Sequence, residues 1–473
     1  MQPLLIAGID SSTQSCKVII RDIRTWSLVR HGRAAHPSGT EVDPRRWWTA
    51  LELALKEAGG LEGVVAISVA GQQHGMVSID ENGEIIRDAL LWNDLRTAEA
   101  AIDLIAELGG PEKWVKATGS VPVAAFTVSK LRWLAENEPA HARRLAAVAL
   151  PHDWLSWRMR GGSAIRELRT DRGDASGTCY YSPSSGEYQL DLVKLALGVQ
   201  DVPYLPEVMA PNEAFGVAAS LDSDAIVAAG TGDNMAAALG VDAQPGDVVV
   251  SLGTSGTAFM VSERQTHDET GTVAGFADAT GRFLPLVCTL NAARVIGAIA
   301  RTLNVSLEDL SRLAFAAPPG AHGLSLLPYL EGERTPNRPD ASGVIAGLTL
   351  SNTTPEDLAR AAIEGVLCGL ADAIDALLVR GAKAERVILI GGAARSETVA
   401  NIASAIFGRE VVVPHPGEYV AEGAIRQALW ALQGQESPAR NHKVPAKVVH
   451  AVPTPEVRER YSVLKQATID WHA

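Results

Sequence analysis

The chain has 473 residues, and its 55 Asp and Glu outnumber its 42 Lys and Arg, which gives a formal net charge of −13 at pH 7. This acidic balance, with no block of consecutive basic residues, argues against a surface for nucleic acid or for an anionic membrane. Hydrophobic residues make up 47% and charged residues 21%, as in folded globular proteins, and the length predicts more than one domain.

The N-terminal segment Leu4–Ile20 predicts a strand, a turn rich in Ser and Thr, and a second strand. Backbone N–H groups and hydroxyls in such a turn, which contains Thr13 and Gln14, can bind a polyphosphate. Asp10, where the first strand ends, is a candidate Mg²⁺ ligand through water, and an Asx turn is the alternative. Lys17 on the second strand is either a phosphate partner or a solvated strand residue.

The segment Val248–Met260 repeats this plan, with Thr254 in the place of Thr13 and Gly253 before it. Two hairpins with small polar turns predict a two-lobed phosphotransferase in which both turns serve one polyphosphate. Further strand-like segments occur at corresponding places in the two halves, as expected for mixed α/β domains. They are Val64–Val69 and Ala225–Gly230 in the first half, and Arg386–Ile390 and Glu410–Pro414 in the second.

The repeat predicts a first domain at 1–245 and a second domain at 246–435. A change to Pro- and Gly-containing sequence predicts a linker with a C-terminal tail at 436–473 that docks on a lobe. In the second domain, Thr354 is predicted to cap a long helix that begins at Pro355 and that Gly381 can close. We expect this helix to pack within the second lobe.

No GxxxxGK[ST] motif is present, and Gly230–Met235 does not complete a GxGxxG pattern, so the two hairpins are left to bind the phosphates. Asp233 follows a Gly-Thr-Gly turn and precedes a small-residue helix, which places its carboxylate at a strand end as a candidate general base. A helix N-cap is the alternative for Asp233. Asn234 beside it is a candidate ligand for a substrate hydroxyl.

The cysteines lie far apart and lack CxxC spacing, which predicts reduced thiols rather than zinc ligands or disulfides. They are Cys16, Cys179, Cys288 and Cys368. The N-terminus lacks the charged segment and long apolar run of a signal peptide, and no uninterrupted apolar stretch approaches about 18 residues. We therefore expect a cytoplasmic protein without a membrane span.

Several motifs resemble those of the FGGY carbohydrate kinases, and the resemblance extends over nearly the whole chain. Gly343–Leu348 together with Asp357–Glu364 resembles the C-terminal signature of that family. Ala125–Asn137 is similar to the N-terminal signature, from which Ala125 departs at the first position. Further motifs most resemble those of the xylulokinases within the family: Gly71–Met76, Leu91–Asp94, Gly232–Asn234 and Tyr329–Pro336.

The resemblance implies an α/β fold of two lobes, actin-like and hexokinase-like, built as a duplicated ribonuclease H-like ATPase with an interlobe cleft where ATP and a sugar meet. It implies ATP-dependent phosphorylation of D-xylulose to D-xylulose 5-phosphate, with Mg²⁺ and with Asp233 as the base. A kinase for ribulose, gluconate or glycerol is the alternative within the family, and a non-catalytic actin-like sugar sensor is the alternative outside it. The expected partners are a sugar and ATP, with no nucleic acid and no membrane, and a homodimer is a candidate assembly.

The resemblance also implies residues that contact the sugar. Gln73 and His74 are expected to contact the open-chain ketose, and Gln73 stands where xylulokinases often carry Met. His74 follows a strand between polar neighbours, which favours a hydrogen-bonding loop, and a satisfied structural histidine is the alternative. Trp92 is expected either to wall the sugar pocket or to serve only in packing.

On the nucleotide side, Gly391, Gly392 and Ala393 follow an apolar strand and resemble the adenosine motif of the family. Small residues there let the backbone approach a flat ring, and tight helix packing is the alternative use of the same residues. Asn401, a few residues further on, is expected to reach the base or the ribose.

Overall fold

The structure is a computed structural model that describes residues 4–379, 384–438 and 446–471. The chain forms two compact units whose sequences interleave. The first unit comprises Met1–Asp242, Glu263–Leu284 and Gly417–His442, and the second unit comprises Ala243–Ser262, Pro285–Pro416 and Lys443–Ala473. The compact units thus differ from the linear division at 246–435, since two segments of that predicted second domain fold with the first unit.

The strands are numbered in chain order. They are β1 (Leu5–Ser11), β2 (Ser15–Asp22), β3 (Leu28–Ala35), β4 (Glu41–Val42), β5 (Val64–Gly71), β6 (Val77–Ile79), β7 (Ala89–Leu90), β8 (Ala147–Ala149), β9 (Arg169–Asp171), β10 (Tyr181–Ser182), β11 (Glu187–Tyr188), β12 (Glu207–Met209), β13 (Ala214–Val217), β14 (Ile226–Ala228), β15 (Thr231–Gly232), β16 (Asp247–Leu252), β17 (Gly256–Met260), β18 (Ala274–Ala277), β19 (Phe283–Thr289), β20 (Ser325–Leu327), β21 (Val344–Ala346), β22 (Arg386–Ile390), β23 (Val411–Pro414) and β24 (Ala446–Val449).

The α-helices are numbered in the same way. They are α1 (Pro44–Glu57), α2 (Ala98–Leu108), α3 (Pro111–Thr118), α4 (Thr127–Asn137), α5 (Pro139–Ala142), α6 (Pro151–Met159), α7 (Arg172–Ser176), α8 (Leu190–Leu197), α9 (Asp233–Gly240), α10 (Ala293–Leu303), α11 (Leu307–Ala316), α12 (Pro355–Val379), α13 (Glu397–Phe407), α14 (Tyr419–Gln433) and α15 (Pro455–Ala467). Short 3₁₀ helices occur at Ile165–Glu167, Ala219–Leu221, Ala321–Gly323 and Gly392–Arg395.

The main sheet of the first unit has the strand order β13-β14-β5-β1-β2-β3, and β15 also pairs with β5. β1 is antiparallel to β2, as the N-terminal hairpin predicts, and parallel to β5, which in turn is parallel to β14 and β15. The register sets Asp10 beside Ala70 and Gly232 beside Gly71. Because parallel strands end at the same edge of a sheet, the residues that follow β1, β5 and β15 lie together there.

The main sheet of the second unit repeats this topology, with the order β19-β17-β16-β22-β23-β24. β16 and β17 form the second predicted hairpin, and β22 and β23 run parallel to β16. In each unit the hairpin has a third antiparallel strand on one side and two parallel strands on the other. The prediction of a duplicated α/β fold is confirmed.

The C-terminal part of the chain joins the second unit. β24 pairs antiparallel with β23, so the prediction of a linker is wrong for Ala446–Val449; the free edge of β23 accepts this segment as an additional strand. Residues 439–445 of the predicted linker lie outside the described residues. Helix α15 packs against β20 and α12, which also belong to the second unit.

Helix α12 is the long helix predicted after Thr354. The Asp357 backbone N–H donates to Thr354 Oγ1 at 3.1 Å, and the Thr354 hydroxyl donates to the Asp357 carboxylate at 2.8 Å, so the cap forms as expected. The helix has 25 residues, is mostly buried, and packs against α10, α11 and α13 of the second unit. Its predicted end at Gly381 lies outside the described residues.

Helix α14 approaches the first-unit sheet and α9 so closely that glycines are required at the contacts. A Cβ atom at Gly8 of β1 would lie 2.1 Å from the Ala421 carbonyl oxygen. A Cβ atom at Gly423 would lie 1.9 Å from the Ala236 carbonyl oxygen on α9. Packing at this distance holds α14, a late segment of the chain, against the N-terminal strand and accounts for the interleaving of the units.

We expect Gly423→Ala to destabilise the protein by about 3 kcal/mol, the upper end of overpacking costs, because the added methyl meets backbone rather than a movable side chain. The matched control is Gly297→Ala in α10, where the nearest atom to an added Cβ is the end of the Arg301 side chain at 3.7 Å. That change removes a helical glycine and should stabilise by roughly 0.5–1 kcal/mol. Thermal and urea denaturation compare the two, and equal stability of both variants would contradict the close packing of α14.

Candidate active site

Asp10 and Lys17 form a cross-strand pair at the end of the N-terminal hairpin. The register opposes them on β1 and β2, and Lys17 Nζ lies 3.5 Å from Asp10 Oδ2 and 2.6 Å from Glu418 Oε2. Burial raises the pKa of Asp10, against the opposing effects of Lys17 and the Ser12 hydroxyl. Burial disfavours the charge on Lys17, but Asp10 and Glu418 outweigh it and raise the Lys17 pKa. Ion pairs with Asp10 and Glu418 therefore hold the Lys17 ammonium group in place, and Lys17 is not a freely solvated side chain.

The alternative of an Asx turn at Asp10 is not what the structure shows. The donor to the Asp10 carboxylate within the turn is the Ser12 hydroxyl, whereas an Asx turn uses a backbone N–H two residues further on. Asp10 is 3% exposed, so the carboxylate is not freely hydrated.

Two residues outside the hairpin hold its turn in place. Trp92 Nε1 donates to Thr13 Oγ1 at 2.8 Å, so Trp92 contacts the turn of the N-terminal hairpin directly. The His36 backbone N–H donates to the Gln14 carbonyl at 2.9 Å, and His36 Nδ1 lies 2.8 Å from the Ser12 carbonyl. The Gln14 side chain is exposed. Sequence reasoning overlooked His36, whose surroundings at the end of β3 carry no motif.

Asp233 is the first residue of α9, and Gly232 rather than Asp233 occupies the N-cap position. Its Oδ1 accepts hydrogen bonds from the Asn234 backbone N–H at 2.8 Å and from Asn234 Nδ2 at 2.9 Å. Asn234 Nδ2 also donates to Gln73 Oε1 at 2.9 Å. Gln73, Asn234 and Asp233 therefore form one hydrogen-bonded group at the strand ends.

The protonation of Asp233 suits a general base. Its side chain is partly accessible, so a substrate can reach it, while the surrounding protein still desolvates the carboxylate. Burial, and next the charge of Asp10, raise the pKa of Asp233 to about 7. A base with a pKa near the working pH is the most effective acceptor of a hydroxyl proton.

His74 lies in a less polar environment than the sequence indicates. Its ring centre is 4.9 Å from that of Phe126 and 5.5 Å from that of Phe276, and its Nδ1 is 2.7 Å from the Gly177 carbonyl oxygen. A carbonyl only accepts, so Nδ1 carries the proton. The backbone at His74 has φ +67°, a left-handed conformation that marks a constrained position at the end of β5. The expected hydrogen-bonding loop is present, although the ring of His74 also packs against two aromatic residues, and sugar contact by His74 stays a prediction.

The predicted nucleotide residues of the second unit lie at adjacent strand ends. β16 and β22 are parallel with Ser251 opposite Ile390, so the turn at Gly253 and Thr254 lies beside the segment that begins at Gly391. Thr254 is exposed, and the Gly253 carbonyl accepts from the Ala293 backbone N–H at 3.0 Å, where α10 begins.

The two glycines after β22 have different surroundings. Gly391 has φ +97°, and a Cβ there would lie 2.5 Å from the Leu252 carbonyl, so this glycine serves close packing. An added Cβ at Gly392 would meet nothing within 4 Å, so open space lies in front of this glycine, and Ala393 after it is half-buried. Asn401 lies on α13, where its amide donates to the Glu397 carbonyl at 2.8 Å, and a contact with base or ribose stays a prediction.

Comparisons with known proteins identify the family. The FGGY family of carbohydrate kinases is matched by its N-terminal domain at residues 5–240 and by its C-terminal domain at residues 248–432. This protein belongs to the FGGY family of carbohydrate kinases. Kinases of this family use ATP as the phosphoryl donor, and the family predicted from the sequence motifs is confirmed.

Among its relatives, the xylulose kinase of Streptomyces coelicolor is 44% identical over 446 residues, which cover 92% of this chain and 89% of that protein. The xylulose kinase of Haemophilus influenzae is 33% identical over 448 residues, 90% of each chain. The crystal structure of xylulose kinase from Bifidobacterium adolescentis superposes with a TM-score of 0.89 at 44% identity and covers 98% of this chain and 99% of that one.

We expect Gly392→Val to weaken ATP affinity by about tenfold or more, because the branched side chain fills the open space assigned to adenosine while leaving the fold intact. Gly391→Ala is the contrasting variant, since its methyl meets the Leu252 carbonyl in a left-handed backbone region and should lower stability instead. Calorimetric titration with ATP and thermal denaturation separate the two effects. Unchanged ATP affinity in a folded Gly392→Val protein would remove Gly392 from the nucleotide site.

Proposed function

We propose that this protein transfers the γ-phosphoryl group of ATP to D-xylulose, with D-xylulose 5-phosphate and ADP as products. The observation that carries the reaction is the Asp233 carboxyl, partly accessible, with a pKa near 7, at the same sheet edge as Asp10. The choice of sugar is supported by the identity of 44% over most of the chain to a xylulose kinase.

In the proposed reaction, Asp233 accepts the proton of the terminal hydroxyl of the sugar. The hydroxyl oxygen forms the new bond to the γ-phosphorus as the bond from phosphorus to the ADP oxygen breaks, and the electron pair leaves with ADP. Asn234 fixes the orientation of the Asp233 carboxylate through its two hydrogen bonds to Oδ1. Gln73 and His74 are proposed to bind the remaining oxygens of the open-chain sugar.

Charge on the transferred group requires cations nearby. Mg²⁺, when bound, neutralises charge on the β- and γ-phosphate oxygens. The described residues contain no group of three or more His, Cys, Asp or Glu side chains arranged for a metal ion. That fits Mg²⁺, which is commonly held by one or two carboxylates together with substrate phosphates and water, and Asp10 is the carboxylate proposed for it. Lys17, held by Asp10 and Glu418, is proposed to add a second positive charge.

Other features belong to the same proposal. Among the described residues, no helix has the length and apolar character that a membrane span requires. A cytoplasmic location, expected from the sequence, and a homodimer, the candidate assembly, are retained as parts of the proposal. Phosphorylation of ribulose, gluconate or glycerol is the competing activity, since pocket shape rather than phosphate chemistry selects the sugar.

A substrate screen tests the proposal directly. With ATP and Mg²⁺, ADP release is expected to be at least about tenfold more efficient with D-xylulose than with ribulose, gluconate or glycerol, judged by kcat/KM. Asp233→Asn should lower kcat by roughly 10²–10⁴-fold with every sugar while ATP affinity is retained. A higher kcat/KM for one of the other sugars would replace D-xylulose as the substrate, and no sugar-dependent ADP release at all would support the sensor.

The raised pKa of Asp233 predicts the pH dependence. A general base acts in its deprotonated form, so kcat/KM should be constant well above pH 7 and should fall as the pH decreases through about 7. One unit below that value, roughly a tenth of the plateau remains. Initial rates at subsaturating sugar across this range measure the profile, with circular dichroism at each pH as the control for folding. A flat profile between pH 6 and 8 would exclude this titration of Asp233.

A further inference from the structure

A fully buried histidine lies among three carboxyl groups behind the proposed sugar site. His152 is 0% exposed, and its Nε2 lies 3.2 Å from Asp153 Oδ1, 3.3 Å from Asp171 Oδ1 and 3.3 Å from Asp174 Oδ2. The proposed reaction uses none of these residues, and together they form the His152 cluster. Such a concentration of buried ionisable groups is costly unless their charges compensate one another.

His152 touches the ends of two strands that lead to the site. A Cβ at Gly71, the last residue of β5, would lie 3.0 Å from both the Cβ and the backbone N of His152. A Cβ at Gly230, between β14 and β15, would lie 2.6 Å from His152 Nδ1. The backbone and Cβ of His152 therefore occupy the space that glycine leaves free at Gly71, and its imidazole occupies the corresponding space at Gly230. Gln73 and His74 follow the first strand end, and Asp233 follows the second.

Helix α7 connects the His152 cluster to both groups of site residues. Asp171 caps α7, and its Oδ2 also accepts from the Thr231 hydroxyl at 2.8 Å, two residues before Asp233. At the other end of α7, the Gly177 carbonyl is the acceptor for His74 Nδ1. A displacement of α7 would therefore move the segment that carries the base and the ring of His74 together.

Charge compensation makes the cluster stable. Burial disfavours a charged imidazole, but Asp153, Asp171 and Asp174 outweigh it and raise the pKa of His152 to about 9, so His152 is an imidazolium at neutral pH. Among the described residues, the carboxyl of Asp174 has no hydrogen-bond partner, and His152 is its ion-pair partner. Burial raises the pKa of Asp174 well above its usual range, while His152 acts to lower it.

We propose that His152 is a positioning residue for phosphoryl transfer: its imidazolium binds Asp153, Asp171 and Asp174 and thereby sets α7 and the strand ends that carry Asp233 and His74. The proposal rests on the proposed function for its kinetic consequence. The structural part of the proposal is that the charge of the His152 cluster positions the Thr231–Asp233 segment. This part holds whichever sugar is the substrate.

The test replaces the imidazolium by a neutral amide. His152→Gln should lower kcat with D-xylulose by about 10- to 100-fold, because a displacement of about 1 Å can cost on the order of 10² in rate, while the calorimetric ATP affinity changes less than about twofold. Hydrogen-exchange mass spectrometry without any sugar should show faster exchange at 171–177 and 229–235. His31→Gln, at an exposed position on β3, is the matched control and should change neither measurement.

A second substitution distinguishes charge from shape. Adding Asp174→Asn to His152→Gln removes the buried carboxyl group that has lost its ion-pair partner, and it should recover at least about tenfold of the lost kcat and restore slow exchange. Wild-type kcat in folded His152→Gln, or a loss that Asp174→Asn leaves unchanged, would overturn the proposal. Absence of activity in the wild type would overturn the proposed function alone, because the exchange measurement still decides the role of His152.

Discussion

The register of three parallel strands is the constraint on which the site depends. Hydrogen bonds between β1 and β5 set Asp10 beside Ala70, and those between β5 and β15 set Gly232 beside Gly71. Since the strand ends share one edge, Asp10, Gln73 and Asp233, which are far apart in sequence, meet within the first unit. A register shift of one residue would turn the Asp10 side chain to the opposite face of the sheet.

The chemistry at this edge results from carboxyl groups that are buried beside charges of both signs. Asp10 has Lys17 close by and raises the pKa of Asp233 by its own negative charge, after the larger effect of burial. Behind the strands, His152 compensates a second group of carboxyls. Removing a charge from water costs free energy, so each buried charge depends on a well-placed partner of opposite sign. This dependence is stronger than it would be at a hydrated surface.

Much of the site could be predicted from local sequence because its residues directly follow strands or glycine turns. The hairpins around Thr13 and Thr254, the capped helix at Thr354 and the position of Asp233 at a helix start all depend on neighbouring residues in the chain. The hydrogen-bonding loop at His74 was predicted, but the packing of its ring against Phe126 and Phe276 was not, because these two residues reach it from distant segments. The strand at Ala446–Val449 was likewise missed, because it forms only on the free edge of β23.

By itself the sequence determined the family, the duplicated α/β plan and the identity of the candidate base, because hydrophobic periodicity, turn chemistry and short motifs are local properties. Only the tertiary structure decided that α14 packs on the N-terminal strand, that Glu418 reaches Lys17, and that His152 lies among three carboxyls. Apart from the pair formed by the adjacent His152 and Asp153, these contacts join residues separated by about twenty to several hundred positions. Their energies come from close packing and from charges in a desolvated interior, which no local pattern records.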